Sequence, residues 1–588
     1  MKKIISHPIP RLLIFLFLAL PLQAALAEEV VSQEQPPGVA QEISAIIAAK
    51  QHPYLTLSNF PNRTEDLESL YKQSEHRLLW LGNADAEKNI NEALNLLANA
   101  AADGLNPKNY DTETLRQKLP PALTLKPDAY KDLALYDTAL SISLLRFLHD
   151  LHYGRVNPQG INFNLKLREK KLVDLPLLIK NSLAQNTLAQ LALSAEPQLK
   201  QYQKLKQALA DYRELAAKAL PFKLDIKETL HPGESHPQMA DLRRFLIFIG
   251  DMPEDKAPAN AEKSLRYSDT IANGMKKFQK RHGLTADGHI GKSSVAALNV
   301  PLSYRVTQIE LAMERLRWLP ELSTGSSIIV NIPAFQLWAF ESIDQPDADV
   351  VNMRVVVGNA LKTQTPVLMA EMHFIDFMPY WNVPYSIIKN EILPKLSQNG
   401  DYLNKENMEL VSVFRDAEKP TALTPEAMNL LKEGKLRIRQ RPGGKNALGK
   451  VKFIFPNKDD VYLHDTPSNS LFSKSRRDLS HGCVRVANPQ KLAEFALKNQ
   501  DNWTPETIQL AMNTPKTQRV ILKKPIPVLF FYTTAFFDQK EGLEFFPDIY
   551  GHDAVLLNAL SKPDDLSDQS LFISTNTSTN TSPEGVVK

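Results

Sequence analysis

Apolar residues recur along this chain with two periods, and the change from one to the other divides it. From about residue 55 to 220 they return every three or four positions, as in Ala93, Leu96, Leu97 and Ala100, and again in Leu140, Leu144, Leu145 and Leu148. That spacing lines one face of a helix. Asp103-Gly104-Leu105-Asn106-Pro107 interrupts the first stretch, as glycine and proline should. Residues 236–300 form a smaller helical unit. Leu242, Phe245, Leu246 and Ile249 run to Gly250; Ile271, Met275 and Phe278 run to Gly283; an Asp287-Gly288 turn precedes a short helix from Ser293 to Leu298.

A helix from about Val306 to Leu316 leads into the other period. Residues 328–332 and 335–340, about a Pro333-Ala334 turn, and then 353–357, 371–377, 452–455 and 461–464 read as strands, rich in β-branched and aromatic residues. Residues 385–435 are polar with helical spacing. The pattern therefore predicts a multidomain α+β chain. A helical domain spans 55–220 and a three-helix unit 236–300. A β-rich domain spans 320–535 and carries a helical insertion at 385–435. Residues 28–54, polar around Pro36-Pro37, are expected to be a mobile leader. From 560 to 588 the Ser, Thr and Asn runs predict a disordered tail.

The first 27 residues predict export. Lys2, Lys3 and Arg11 precede an apolar run from Leu12 to Leu20, and Ala25-Leu26-Ala27 offers small residues at the cleavage-determining positions, the layout of a cleaved signal peptide. The apolar run is shorter than the roughly 20 residues that span a bilayer, and no later stretch predicts a membrane span in the mature chain. Losing those three cations takes a chain of formal charge +3 to neutrality, which argues against nucleic acid as a partner.

Against this background the single cysteine of 588 residues gains weight. Cys483 sits in Ser480-His481-Gly482-Cys483-Val484-Arg485, with His464 upstream in Tyr462-Leu463-His464-Asp465-Thr466. It has no partner for an internal disulfide, yet the chain is directed to an oxidising compartment, so chemistry is favoured over packing. Strand alternation puts Val461 and Leu463 on one face with Tyr462 and His464 on the other, and separates Cys483 and Arg485 from Val484 and Val486. Asn488-Pro489 then opens a helix with Leu492, Phe495 and Ala496 on one stripe.

A thiol near neutral pH needs a base, and a histidine within reach supplies one. Cys483 and His464 are the candidate nucleophile and base. Ser480, His481, Gly482 and Asp465 are the candidate supporting group. The amides of Gly482 and Cys483 are placed to stabilise an oxyanion, and Asp465 to orient His464 through its carbonyl or its side chain. Three other readings stand beside this one: a buried structural cysteine, a zinc site of His464, His481 and Cys483, and a purely structural His481. Zinc is disfavoured because neither HExxH nor CxxC occurs. His149 and His152 share a helix face but have no evident third ligand.

The motif around Cys483, with His464-Asp465-Thr466 upstream, resembles the signature of the L,D-transpeptidases. Tyr380-Trp381-Asn382-Val383-Pro384, Arg441-Pro442-Gly443-Gly444, Asn446-Ala447-Leu448-Gly449 and Lys452-Phe453 are similar to the large Gram-negative members. So are Leu79-Trp80, Asp103-Gly104-Leu105 and Gly154-Arg155-Val156-Asn157-Pro158. Phe278-Gln279-Lys280-Arg281-His282-Gly283-Leu284, with Asp287-Gly288 and Ile290-Gly291, resembles the three-helix peptidoglycan-binding-like module. Val484 stands where isoleucine is common.

The resemblance implies a helical scaffold, a peptidoglycan-binding-like module and an L,D-transpeptidase catalytic domain with a helical lid. It implies a periplasmic enzyme of wall biosynthesis and cell shape, using peptidoglycan tetrapeptide stems as donor and acceptor, without metal or organic cofactor. Trp381, Tyr462 and Asn446 would line the donor or acceptor channel, and Arg485 would either contact a substrate carboxylate or make an ion pair within the fold. An L,D-carboxypeptidase, a non-catalytic wall-binding scaffold and a zinc peptidase remain alternatives.

Overall fold

A computed structural model describes residues 37–82, 85–161, 173–254, 265–320, 325–342, 351–415, 418–538 and 540–562. The expected signal peptide, the leader up to residue 36 and the tail beyond 562 lie outside the described residues.

The N-terminal helices surround Tyr130–Tyr153, whose residues are buried almost continuously from Leu133 to Leu151. A helix apolar on every side belongs inside a bundle, and its polar residues are used there. Asp137 accepts the backbone N–H groups of Leu79, Trp80 and Leu81 at 2.9–3.0 Å and the Tyr71 hydroxyl at 2.6 Å. The expected mobile leader is corrected over its second half. Pro37–Ala49 is a helix, and Val39, Ile43, Ile46 and Ile47 enter the bundle core. Those positions make a helical stripe, and Pro37 occupies the first turn, where its missing N–H costs nothing.

The bundle core ends near Ala195. The helix Lys200–Lys218, expected to belong to it, instead packs with the helix Leu302–Arg317 into the core of the β-rich domain. Between them the helices Met239–Phe248, Asp269–Arg281 and Lys292–Leu298 close a small core of their own around Leu242, Met275, Phe278 and Ile290.

Fourteen strands follow among the described residues: β1 Ser327–Asn331, β2 Gln336–Phe340, β3 Val351–Gly358, β4 Leu368–Phe377, β5 Trp381–Asn382, β6 Met408–Val411, β7 Arg437–Gln440, β8 Val451–Ile454, β9 Leu463–His464, β10 Asp478–Ser480, β11 Val484–Val486, β12 Gln518–Phe531, β13 Ala535–Asp538 and β14 Gly542–Phe545. The main sheet runs β10-β3-β11-β9-β8-β4-β12-β1-β2, and an extra β2–β3 pairing closes eight of its strands into a barrel. Closure removes the open edges that would otherwise invite further pairing.

The insertion expected to be helical is mixed. It has short helices at 385–398, 402–405 and 425–432, but also a sheet of order β5-β7-β6. Four-residue strands are too short to announce themselves by period. Glu409 on β6 is buried and bonded by Arg439 and Arg441 at 2.5 Å each. The β-rich unit also runs past the expected limit of 535, because Leu543, Phe545 and Leu556 join its core.

Leu302–Arg317 is the mast of the molecule. Arg315 pairs with Asp553 at 2.6 Å with neither side chain exposed. Arg317 reaches the Asp103 carbonyl, Tyr202 at 3.0 Å and Glu314 at 2.9 Å. Glu314 also accepts the amides of Arg155 and Val156 at 2.6 and 3.0 Å. Scaffold, barrel and C-terminal helix thus meet on one helix. Removing one member of a buried pair strands the other. Asp553→Ala is expected to lower unfolding free energy by about 3 kcal/mol in urea titration; a change within about 0.5 kcal/mol would show that the pair is not structural.

Candidate active site

The site is built by register. β9 and β11 run parallel, pairing Leu463 with Val484 and His464 with Arg485, and the Val484 amide donates to the Tyr462 carbonyl at 3.1 Å. Leu463 and Val484 are fully buried in the barrel core. Period-two alternation then turns Tyr462, His464, Cys483 and Arg485 to the other face. The row continues across the sheet: Lys452 on β8 pairs with His464, Asp376 on β4 with Lys452, and Arg519 on β12 with Asp376. Arg519 holds Asp376 through two bonds of 2.7 and 2.8 Å.

Cys483 immediately precedes β11. Gly482 has φ +118°, a conformation that side chains other than hydrogen rarely adopt. Its carbonyl accepts Thr365 Oγ1 at 2.7 Å, and Thr363 Oγ1 donates to the Ser480 carbonyl at 2.9 Å. Tyr550 in turn donates to the Gly358 carbonyl at 2.6 Å. Asn488 caps the following helix by accepting the Lys491 amide at 3.1 Å. The thiol is therefore mounted between a braced turn and a capped helix.

His464 is buried, and its Nδ1 lies 2.5 Å from the Asp465 carbonyl oxygen. A carbonyl only accepts, so Nδ1 carries the hydrogen and Nε2 is left as the base. Burial, then the charge of Arg485, bring its pKa down to about 3. The imidazole is neutral at rest. The thiol of Cys483 is raised by burial, with the Tyr462 backbone N–H and hydroxyl, and the charges of Lys452 and Arg485, acting in the opposite direction. The thiol Sγ donates to the Asp460 carbonyl at 3.9 Å, and the Tyr462 hydroxyl is near enough to act on the ionisation of Cys483, as Trp381 acts on that of Tyr462. Cys483 remains partly exposed.

Of the two expected ways for Asp465 to orient His464, the carbonyl is the one used, while the carboxylate accepts the amides of Lys450 and Thr466 at 2.7 Å each. Gly449 permits this, because a Cβ there would sit 2.3 Å from Asp465 Oδ2. Other expected roles are corrected. The Gly482 amide, an expected oxyanion donor, is engaged by Ser480 Oγ at 3.2 Å. Ser480 Oγ also donates to the Cys483 carbonyl at 2.5 Å. His481 is exposed and meets Glu391 of the insertion at 2.6 Å. Asn446 is fully buried, its amide donating to the carbonyls of Pro379, Gln440 and Arg441 at 3.0–3.3 Å, so it holds loops and does not line a channel.

Lys452, Thr363, Thr365, Tyr550 and Glu391 were not expected at the site. Only Lys452 carried a signal, as a lone cation in an apolar strand. Among the described residues no three His, Cys, Asp or Glu side chains converge to hold a metal ion. His152 Nδ1 lies 2.8 Å from the Ala195 carbonyl, so its ring serves the bundle. No helix among the described residues is long and apolar enough to cross a membrane.

Barrel, insertion and cysteine–histidine face together make up a β-rich domain with a mixed insertion between its strands and a thiol and an imidazole on one face. Residues 325–521 match the L,D-transpeptidase catalytic domain. Residues 65–209 match a Scaffold domain. A curated Haemophilus influenzae protein, named provisionally as an L,D-transpeptidase, is 32% identical over 276 residues. The match covers 46% of this chain and 54% of the relative, so the chain spans about half the length of the curated protein it matches. An L,D-transpeptidase crystal structure from Xylanimonas cellulosilytica (residues 123–326) is 16% identical, with a TM-score of 0.16, over 53% of this chain and 100% of its own; that likeness is too slight to carry an argument.

A neutral imidazole leaves no imidazolium to hold a thiolate at rest. Alkylation of Cys483 by iodoacetamide is therefore expected to rise continuously from neutral to alkaline pH; a rate plateau extending down to pH 5 would mean a preformed ion pair. The sign for stability follows from the same burial. His464 is depressed to about 3, and His52 and His552 to about 4, so the unfolded chain binds protons below about pH 6.5 that the folded chain refuses. Each buried histidine costs about 2 kcal/mol of stability by pH 5. The melting temperature is expected to fall steadily from pH 7 to 5; a flat profile would contradict neutral burial.

Proposed function

We propose that the chain is a peptidoglycan L,D-transpeptidase that forms 3→3 cross-links through a thioester on Cys483. The observation that carries the reading is the face shared by Cys483, Tyr462 and His464, with the imidazole held in the tautomer that leaves Nε2 free to take a proton.

In this reading His464 Nε2 takes the thiol proton as sulfur attacks the carbonyl carbon of the third stem residue. The tetrahedral oxyanion collapses, the C–N bond to the terminal D-amino acid breaks, and its amine leaves with the proton from His464. A side-chain amine of a second stem then attacks the thioester, His464 takes the amine proton, and the sulfur leaves as thiolate. Trp381 and Tyr462 contact the donor stem beside the sulfur, and Arg485 meets a substrate carboxylate.

The insertion serves as a lid that excludes water and so favours aminolysis; its Glu391 contact to His481 fastens it over the cysteine motif. Export by a cleaved signal peptide at residues 1–27 to the periplasm, and a part in wall organisation and cell shape, complete the proposal. The naming of the Haemophilus relative and the match of residues 325–521 support it.

Mass spectrometry of muropeptides incubated with purified protein tests the proposal. Dimers joined through two third-position residues are expected with the wild type and none with Cys483→Ala. Tripeptides without dimers would make the protein an L,D-carboxypeptidase, and identical products from both proteins would refute cysteine catalysis.

A further inference from the structure

A half-buried thiolate is stabilised by a positive neighbour, and His464, neutral at rest, does not provide one. Two cations share its face. Arg485 stands beside His464 in register on one side, and Lys452 on the other. Lys452 is the less expected of the two, and the more pointed. Its Nζ lies 3.9 Å from the centroid of the Tyr462 ring, and that same tyrosine, next to Cys483 on the shared face, acts to favour the ionised thiol. Its neighbour in register, Asp376, is already held by both arms of Arg519 at 2.7 and 2.8 Å. Lys452 makes no salt bridge among the described residues.

We propose that Lys452 is a positioning residue for Cys483, acting through Tyr462 to stabilise the thiolate. The ammonium sits on the negative face of the ring. It draws electron density from the phenol, so that the O–H donates more strongly to sulfur, and its own charge adds at longer range. The inference rests on Cys483 being the nucleophile, but its consequence can be read without any wall substrate.

The ionisable groups that bear on Cys483 and Lys452 come from each neighbouring strand and loop. They are Tyr462, Arg485, Lys452 and Asp460, then Asp376 and Arg519 farther along the row. His464 shares the face, and the His481–Glu391 pair lies above. Burial depresses Lys452, while Asp376 and Cys483 act to keep it charged. Ionised sulfur is thus one of the negative charges, with Asp376 and Asp460, that keep the buried ammonium ionised.

Because the chain has one cysteine, iodoacetamide alkylation of the whole protein reports on Cys483 alone. Lys452→Met is expected to move the pH profile of alkylation upward by about one unit, seen as a roughly tenfold slower reaction at pH 8 with the limiting alkaline rate unchanged. Lys452→Arg should restore the wild-type profile to within about twofold, because the charge returns. Tyr462→Phe should shift the profile in the same direction and abolish most of the further effect of Lys452→Met. If Lys452→Met fails to fold, Lys452→Gln gives the same neutral comparison. A profile unchanged by neutralising Lys452, or an equal slowing at every pH, would overturn the proposal. A shift accompanied by no cross-linked or trimmed muropeptides would leave the role of Lys452 standing and remove the wall-peptide reading.

Discussion

The site depends on one pairing, the parallel register of β9 with β11. Leu463 and Val484 lock that register from inside, because a slip by one residue would turn both out of the core and carry Cys483 and His464 into it. The turn that feeds β9 is pinned separately. Asn457 donates to the Phe455 and Val461 carbonyls at 2.7 and 2.8 Å and accepts the amides of Asp459 and Val461 at 3.1 and 3.2 Å. On the other side Gly482, Thr363 and Thr365 fix the turn that feeds β11. Barrel closure then makes the register collective, since neither strand can shift without moving its neighbours.

Electrostatics on the outer face follow from that register. Arg519, Asp376, Lys452, His464 and Arg485 stand side by side on five strands. The row holds three cations and one carboxylate, and the carboxylate is spent on Arg519. A surplus of positive charge surrounds His464 and Cys483, and in the proposed chemistry, where the histidine rests neutral and the thiol ionises, the same two cations serve both. They repel a proton from His464 and attract charge onto Cys483. Support from below comes through the mast helix Leu302–Arg317, whose buried pairs tie the barrel to the scaffold and to the C-terminal helix.

Much of this was legible in the chain because it is local. Alternation in Val461-Tyr462-Leu463-His464 and Cys483-Val484-Arg485 is enough to put the chemical residues on one face, and the apolar stripes of the larger helices are long. What was not legible depends on partners far away in sequence. His481 finds Glu391 ninety positions upstream, and Asn446 turns inward because three loop carbonyls converge on it. The strand Met408–Val411 is too short for its period to register, and the helix Pro37–Ala49 was obscured by its leading prolines. Lys452 was visible as a residue, but its meaning required the pairing of β8 with β9.

The proposed chemistry requires that Cys483 carry the acyl group. Intact-protein mass spectrometry during incubation with a stem tetrapeptide measures this directly. A mass gain equal to the acyl tripeptide, mapped to Cys483 after proteolysis and reversed by an amine acceptor, is predicted. A protein that turns over substrate with no such adduct, or with the adduct on another residue, would contradict it.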